Sequence, residues 1–150
     1  MKTITVSNGD IQLNGGKIQF SIGTNKLVQD LTSWLEEPLG TGYTTPSFGS
    51  TLQSMIGGSQ NSSSTSAVQN EIQRVLQLYQ GQQILNLQTA QSVGQLANWN
   101  RSEIIQSIDS VSVSVQNTSI IASVSITTLA NNNIQLNVFV SSNGVSVSNG

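Results

Sequence analysis

The sequence predicts an α+β fold: an N-terminal β-hairpin, a helical middle and a C-terminal antiparallel β-meander packed on the helices. Three observations carry this expectation. Residues 3–22 and 111–147 keep an apolar beat of two, the period of a strand with one buried face. Residues 27–35 and 68–79 keep the 3.6-residue beat of a helix with one apolar stripe. The two periods occupy separate zones, whereas an alternating α/β chain would interleave them. At 150 residues the chain is expected to form one domain, with a β segment over 1–23 and a flexible loop over 57–65.

In the first zone Ile4 and Val6, Ile11 and Leu13, then Ile18, Phe20 and Ile22 alternate with polar residues. Asn14-Gly15-Gly16 lies between the second and third runs, and Asn and Gly tolerate the positive φ of a tight hairpin turn. Leu27, Val28, Leu31, Trp34 and Leu35 then mark a first helix, capped by Thr24 or Asn25. Pro38 ends it by pushing Glu37 out of α geometry. After a Gly- and Pro-containing loop, Ser50 is placed to cap a short helix carrying Leu52, Met55 and Ile56.

Residues 57–65 hold almost nothing to bury. Ser66 and Gln69 form a capping-box pattern ahead of the stripe Val68, Ile72, Val75, Leu76 and Tyr79. Gly81 marks a kink, with helix continuing to about Gln91. Asn100 or Ser102 is expected to cap one more helical turn carrying Ile104, Ile105 and Ile108. Beyond it lie three strands, through Val111 to Val115, Ile120 to Thr128 and Ile134 to Val140, and the start of a fourth at Val145 and Val147.

Composition limits the chemistry. Charged residues make up 8% of the chain, against roughly 25% in an ordinary soluble domain. Ser, Thr, Asn and Gln fill the gap with 69 of the 150 residues, and the net charge is −2. A surface so poor in charge is expected to be covered largely by partners. The chain has no His and no Cys, which excludes imidazole acid/base chemistry, thiolate nucleophiles, disulfides and the usual zinc and iron–sulfur sites. Lys2, Lys17, Lys26, Arg74 and Arg101 are too scattered to track phosphates, so no nucleic-acid partner is expected. No apolar run reaches the roughly 18 residues that span a bilayer, so no membrane is expected. The opening residues lack a signal-peptide core, which points to folding and assembly in the cytoplasm of the producing cell.

No enzyme signature survives inspection. A glycosidase needs two carboxylates facing across a substrate. Asp30, Glu36 and Glu37 read instead as the solvated side of the first helix, and Glu71 with Arg74 reads as an i, i+3 surface pair. The serines lack an activating His. Asn14-Gly15-Gly16-Lys17 and Gly40-Thr41-Gly42 lack the context of phosphate-binding loops, and Asn8-Gly9-Asp10 lacks the ligand density of a calcium loop. No cofactor or metal is expected. Trp34 continues an apolar stripe and reads as core, whereas Trp99 fits either core or contact surface.

The stretch from Leu27 to Ile56 resembles the baseplate wedge, or sheath-initiator, family of contractile-tailed phages, which is shared with type VI secretion baseplates. That family shows a helix, then Gly-Glu-Arg, then Pro-x-Phe/Tyr-Gly-Ser-x-Leu. Here Gly40-Thr41-Gly42 stands at the first element and Pro46, Phe48, Gly49, Ser50 and Leu52 at the second. Gly9 to Leu13 followed by Lys17 to Phe20 is also similar to the start of several phage baseplate proteins. The family's Glu-Pro-Arg element, which engages neighbouring wedge subunits, is replaced by Tyr79, Gln80, Gly81 and Gln82, and residues 83–107 read as an insertion. The resemblance implies a structural protein of a six-fold virion baseplate whose partners are sheath, wedge and tail-tube subunits. In that role Pro46 and Gly49 shape the loop while Phe48 and Leu52 pin it to the core.

Some members of the resembled family carry lysozyme-type descriptions, so a peptidoglycan hydrolase is one rival expectation. A glycan-binding tail module is the other, and it would need exposed aromatic residues. The C-terminal sheet suggests the mechanism. Residues 111–148 contain neither charge nor Pro, the usual guards of an edge strand. An edge in or beside residues 134–148, around Val138, Val140, Val145 and Val147, is therefore expected to accept a strand from another chain, and the resemblance implies that this strand comes from the first sheath ring.

Overall fold

A computed structural model describes residues 2–7, 10–55 and 62–150, with Ser62 and Ser63 described as helical backbone alone. Residues 3–7, 10–14 and 17–21 form three short antiparallel pairs from six strands: β1 (Thr3–Ile4), β2 (Val6–Ser7), β3 (Asp10–Ile11), β4 (Leu13–Asn14), β5 (Lys17–Ile18) and β6 (Phe20–Ser21). The expected hairpin is present as β4–β5, turning through Gly15 and Gly16 at φ 56° and 76°. It is one corner of a triangle whose other sides are β1–β6 and β2–β3. Thr5, Gln12 and Gln19, seven residues apart, close the centre in a cycle. Gln12 N–H donates to Thr5 O (2.9 Å), Gln19 N–H to Gln12 O (3.0 Å) and Thr5 N–H to Gln19 O (2.8 Å).

The physical source of the triangle is a repeat: Thr3-Ile4-Thr5-Val6-Ser7, Asp10-Ile11-Gln12-Leu13-Asn14 and Lys17-Ile18-Gln19-Phe20-Ser21. Each copy pairs its second half with the first half of the next, so every main-chain group at the centre is shared around the ring. Gln29 of the first helix clasps the unit, donating to Ile4 O (2.7 Å) and accepting from Val6 N–H (3.1 Å) and Ser21 Oγ (3.2 Å).

Helix α1 (Thr24–Glu36) follows the predicted stripe, with Leu27, Leu31 and Leu35 wholly buried. Each such leucine contributes roughly 2 kcal/mol of transfer free energy. Its N-cap is Gly23 and no side chain caps it, so neither Thr24 nor Asn25 has the expected role. The Gly23 N–H instead donates to the buried Glu103 carboxylate (2.9 Å). Glu37 is extended ahead of Pro38, as expected. Ser50 does cap the next turn, its Oγ 3.4 Å from Leu52 N, but that turn is a 3₁₀ helix, Leu52–Met55. Ile56 and residues 57–61 lie outside the described residues.

Helix α2 (Ser62–Ser92) corrects several expectations. It already includes residues 62–65 of the expected loop, and it runs through Ser66, which is no cap, and through Gly81 without a break. Its last turns take in residues 83–92 of the segment read as an insertion, as the expected helix to about Gln91 required, and 3₁₀ turns follow at Leu96–Asn98 and Arg101–Glu103. Asn100 caps the second of these, accepting from Ser102 N–H (3.0 Å), but Ile105 and Ile108 then enter a strand. Local spacing suggested helix there; pairing with Thr128 and Ile126 across the sheet decides for strand.

The meander comprises β7 (Ile105–Gln116), β8 (Ser119–Thr128), β9 (Asn133–Ser141) and β10 (Gly144–Asn149), all antiparallel, in the order β10-β9-β8-β7. Both helices lie on its apolar face, where Ile120, Ala122, Val124, Ile126, Leu136 and Val138 are buried with α1, α2 and Leu52 in one core. The opposite face carries rows such as Ser112–Ser123–Asn137–Ser148, which water can cover. No helix among the described residues is long and apolar enough to cross a membrane.

Candidate functional site

The motif loop is held by main-chain geometry. Ser50 N–H donates to Glu37 O (2.8 Å) and Leu39 N–H to Ser50 O (2.9 Å), pairing the motif with the chain just after α1. Gly49 sits at φ 104°, and a Cβ there would lie 2.5 Å from Glu37 O. Only glycine lets the strands approach so closely. Ser50 Oγ donates to Leu35 O (2.6 Å), satisfying a carbonyl at the end of α1. Leu52 is fully buried, Phe48 is half-buried against Trp34 with ring centroids 4.8 Å apart, and Pro46 is exposed.

Glu71 on α2 braces the same loop. It is buried, accepts from Thr51 N–H (2.7 Å), and is gripped by two Arg74 nitrogens at 2.6 and 2.8 Å. The pair expected at the surface is thus a tether between α2 and the motif. The Arg74 hydrogen bonds hold the Glu71 carboxyl below its ordinary range against the opposing effect of burial.

Beside the loop, α1 and α2 enclose a cavity of about 390 Å³. Trp34, Phe48, Tyr79 and Trp99 line it, four of the seven aromatic residues in the chain. Asp30, Glu103 and Lys26 line it too. Tyr79 OH donates to Asp30 Oδ2 (2.9 Å), and Lys26 Nζ bonds the same oxygen. Burial, then the neighbouring Asp30 charge and its hydrogen bond, raise the Tyr79 phenol far above its ordinary range, so it stays a donor. Asp30 therefore does not lie idle on a solvated helix face. Sequence spacing could not pair it with Glu103, which is 73 positions away and arrives only when the 3₁₀ turn folds back on Gly23.

The candidate contact Tyr79 to Gln82 divides. Tyr79 is buried in the cavity, and Gln80 reaches inward to Ile105 O (3.4 Å) and Gln106 O (3.3 Å). Gln82 is exposed at the cavity mouth, bonded to Asn86 (3.1 Å), with Gly81 half-buried beside it.

The sheet has two outer strands, and they differ. Along β7, glutamines of α2 take the place of a neighbouring strand. Gln69 donates to Val111 O (3.0 Å), and Gln83 accepts from Ile105 N–H (3.0 Å) while donating to Glu103 O (2.6 Å). At the other side, Gly150 N–H donates to Gln135 O (2.8 Å). By the alternation of an antiparallel ladder, Gly144, Ser146 and Ser148 also bond to β9, so Val145, Val147 and Asn149 turn their main-chain groups outward. Val147 N–H is held by the Glu36 carboxylate (2.8 Å). Val138 and Val140 are not edge residues: β9 is flanked on both sides, and their side chains are buried in the core. The β10 edge opens onto a groove walled by α1, Pro38 and Phe48.

Among the described residues no group of three or more potential metal-ligating side chains gathers. No known family model matches the chain, and no curated protein and no solved structure matches it.

Proposed function

We propose that the chain is a structural subunit of a contractile-tail baseplate wedge, which docks to wedge and tail-tube subunits and starts sheath polymerisation by accepting a strand along β10. The observation that carries this is the asymmetry of the sheet edges. α2 covers the β7 edge from Ile105 to Val111, whereas β10 has neither charge nor proline and faces an open groove. Main-chain hydrogen bonds along Val145, Val147 and Asn149 would supply affinity, and the groove would read alternate side chains of the incoming strand. Glu36 fills the Val147 N–H until that strand arrives and guards the edge against premature pairing. The motif from Pro46 to Leu52, which carries the family resemblance, forms part of the groove through Phe48.

The test is Val145→Pro, which removes an outward N–H without breaking a bond to β9. Baseplates carrying a folded V145P subunit, checked by circular dichroism, are expected to show bare tubes by electron microscopy. Normal sheaths on them would remove the strand-accepting role.

A hydrolase is the second reading, favoured by one fact: Asp30 and Glu103 line a single cavity. Asp30 takes a phenol and an ammonium, and Glu103 takes the Gly23 amide, so both carboxylates serve as internal acceptors. A zymogram decides. Clearing of peptidoglycan that disappears in D30N or E103Q would replace the structural reading.

A further inference from the structure

We propose that the N-terminal triangle is a self-association surface, on which a second copy of this chain stacks face to face about a two-fold axis. The inference goes beyond the strand-accepting reading and does not rest on it.

It starts from an inverted amphipathicity. In each seven-residue repeat two apolar residues flank the central position: Ile4 and Val6, Ile11 and Leu13, Ile18 and Phe20. In the ladders Ile4 stands opposite Phe20, Val6 opposite Ile11 and Leu13 opposite Ile18. Directly opposed residues share a face, and every second residue returns to it, so all six side chains fall on one face of the triangle. That face points away from the rest of the protein. The six are 38–62% exposed, whereas Thr3, Thr5, Gln12, Gln19 and Ser21, which alternate with them, are half-buried or buried. The polar face carries the internal bonds, Thr5 Oγ1 with Ser21 Oγ (2.8 Å) and Ser21 Oγ with Gln29 (3.2 Å). A one-sided sheet ordinarily turns its apolar face to the core and its polar face to water. Here the order is reversed.

Three observations select a second copy as the cover. The first is area. Six side chains of this size, about half exposed, leave on the order of 600 Å² of apolar surface, the upper end of what a monomer carries in one patch. Two such faces together would bury on the order of 1,200 Å², where specific interfaces begin. The second is symmetry. The main-chain cycle through Thr5, Gln12 and Gln19 makes the three strand pairs near-equivalent, so the triangle flipped about any one pair falls onto itself. A two-fold contact requires such a self-complementary patch.

The third is charge. Asp10 and Lys17 are the only charged residues between positions 3 and 22, and they lie at the outer ends of different pairs, β2–β3 and β4–β5. Flipping about β1–β6 sets each Asp10 at the rim beside the second copy's Lys17, twice per dimer. The two other axes would set Asp10 beside Asp10 or Lys17 beside Lys17. Apolar contact leaves the three registers nearly equal, and charge chooses the first.

Sedimentation of the full chain between about 5 and 200 μM should show a monomer–dimer equilibrium in the micromolar range expected of a small interface. Leu13→Ser with Phe20→Ser removes four large side chains per dimer and should weaken association at least about a hundredfold. Both residues are exposed in the monomer, so the circular dichroism and urea midpoint of this variant should match wild type. Crosslinking reports on the same face without deleting it. The chain has no cysteine, so a short bismaleimide should join Phe20→Cys into a covalent dimer and leave Ser112→Cys, on the polar face of the C-terminal sheet, monomeric. K17D should weaken the dimer several-fold, and D10K/K17D should restore it.

A monomer at every concentration, the result if the face serves a different protein, would overturn the proposal. So would a dimer that survives L13S/F20S, an F20C protein that is not joined, or a K17D defect that D10K leaves unrepaired. V145P should dimerise like wild type. A monomeric V145P protein would move the contact to β10 and overturn this assignment, whereas normal sheathing with V145P removes the strand-accepting role and leaves the dimer standing.

Discussion

Gly49→Ala is the most demanding test of how the motif loop is built. The new Cβ would stand 2.5 Å from Glu37 O and 3.0 Å from both the carbon and the oxygen of the Pro38 carbonyl, all of it backbone. No rotamer change relieves that contact, so the loop itself must move. Holding alanine at φ 104° costs about 1–3 kcal/mol on its own. Moving the loop away from residues 37–39 lengthens the Ser50–Glu37 and Leu39–Ser50 hydrogen bonds, each contributing about 1 kcal/mol. Their sum predicts a loss of roughly 3–5 kcal/mol, a large part of the ~5–15 kcal/mol that holds a domain together. Urea unfolding followed by far-ultraviolet circular dichroism measures it. The midpoint should fall steeply with little change in slope. Ser50→Ala, which removes only the hydroxyl bonds to Leu35 O and Leu52 N, should cost about 1–2 kcal/mol. A G49A protein within about 1 kcal/mol of wild type, or less destabilised than S50A, would refute this account of the loop.

Three further outcomes follow from the same geometry. Gln29→Ala removes all three bonds that clasp the N-terminal triangle to α1, so limited proteolysis should cleave within residues 3–22 much faster while the urea midpoint of the core shifts little. Glu71, whose pKa is lowered in the folded state mainly by Arg74, contributes stability that is complete above its ordinary value of 4.5 and lost as pH falls through the lower folded value. Arg74→Met should cost about 1–3 kcal/mol at neutral pH and move that acid loss upward, as read by urea unfolding at several pH values. Tyr79 should remain un-ionised past the ordinary phenol range, so an absorbance titration should show its ionisation only when alkali unfolds the protein.

Much of the fold was legible in the sequence because burial imposes a period. The stripes of α1 and α2 and the alternation of β8 and β9 each identified residues that the structure buries, from Leu27 and Ile72 to Ile126 and Leu136. The motif residues could be given structural roles for the same reason: Gly49 and Leu52 do local work that their own chemistry announces. Errors arose where local signals conflicted or were silent. Residues 62–65 offer no apolar side chain yet join α2, and Ile105 and Ile108 fit a helical turn in isolation but are drawn into β7 by Thr128 and Ile126. The triangle required noticing that a seven-residue repeat can close on itself, which alternation alone does not reveal.

The features that bear on function were decided by tertiary structure. Periodicity identifies which residues of a strand face the core, but says nothing about the order of strands in the sheet. Val138 and Val145 therefore looked equivalent until pairing placed one inside the sheet and the other at its edge. Nor could spacing show that Asp30 and Glu103 share a cavity, or that Glu36 holds Val147 across 111 positions. Composition and period act on neighbouring residues, so the sequence by itself determined the elements, their buried faces and the scarcity of charge. Which edge stays open, and which rare charges and aromatic rings meet, depends on contacts between distant segments that exist only once the core has closed.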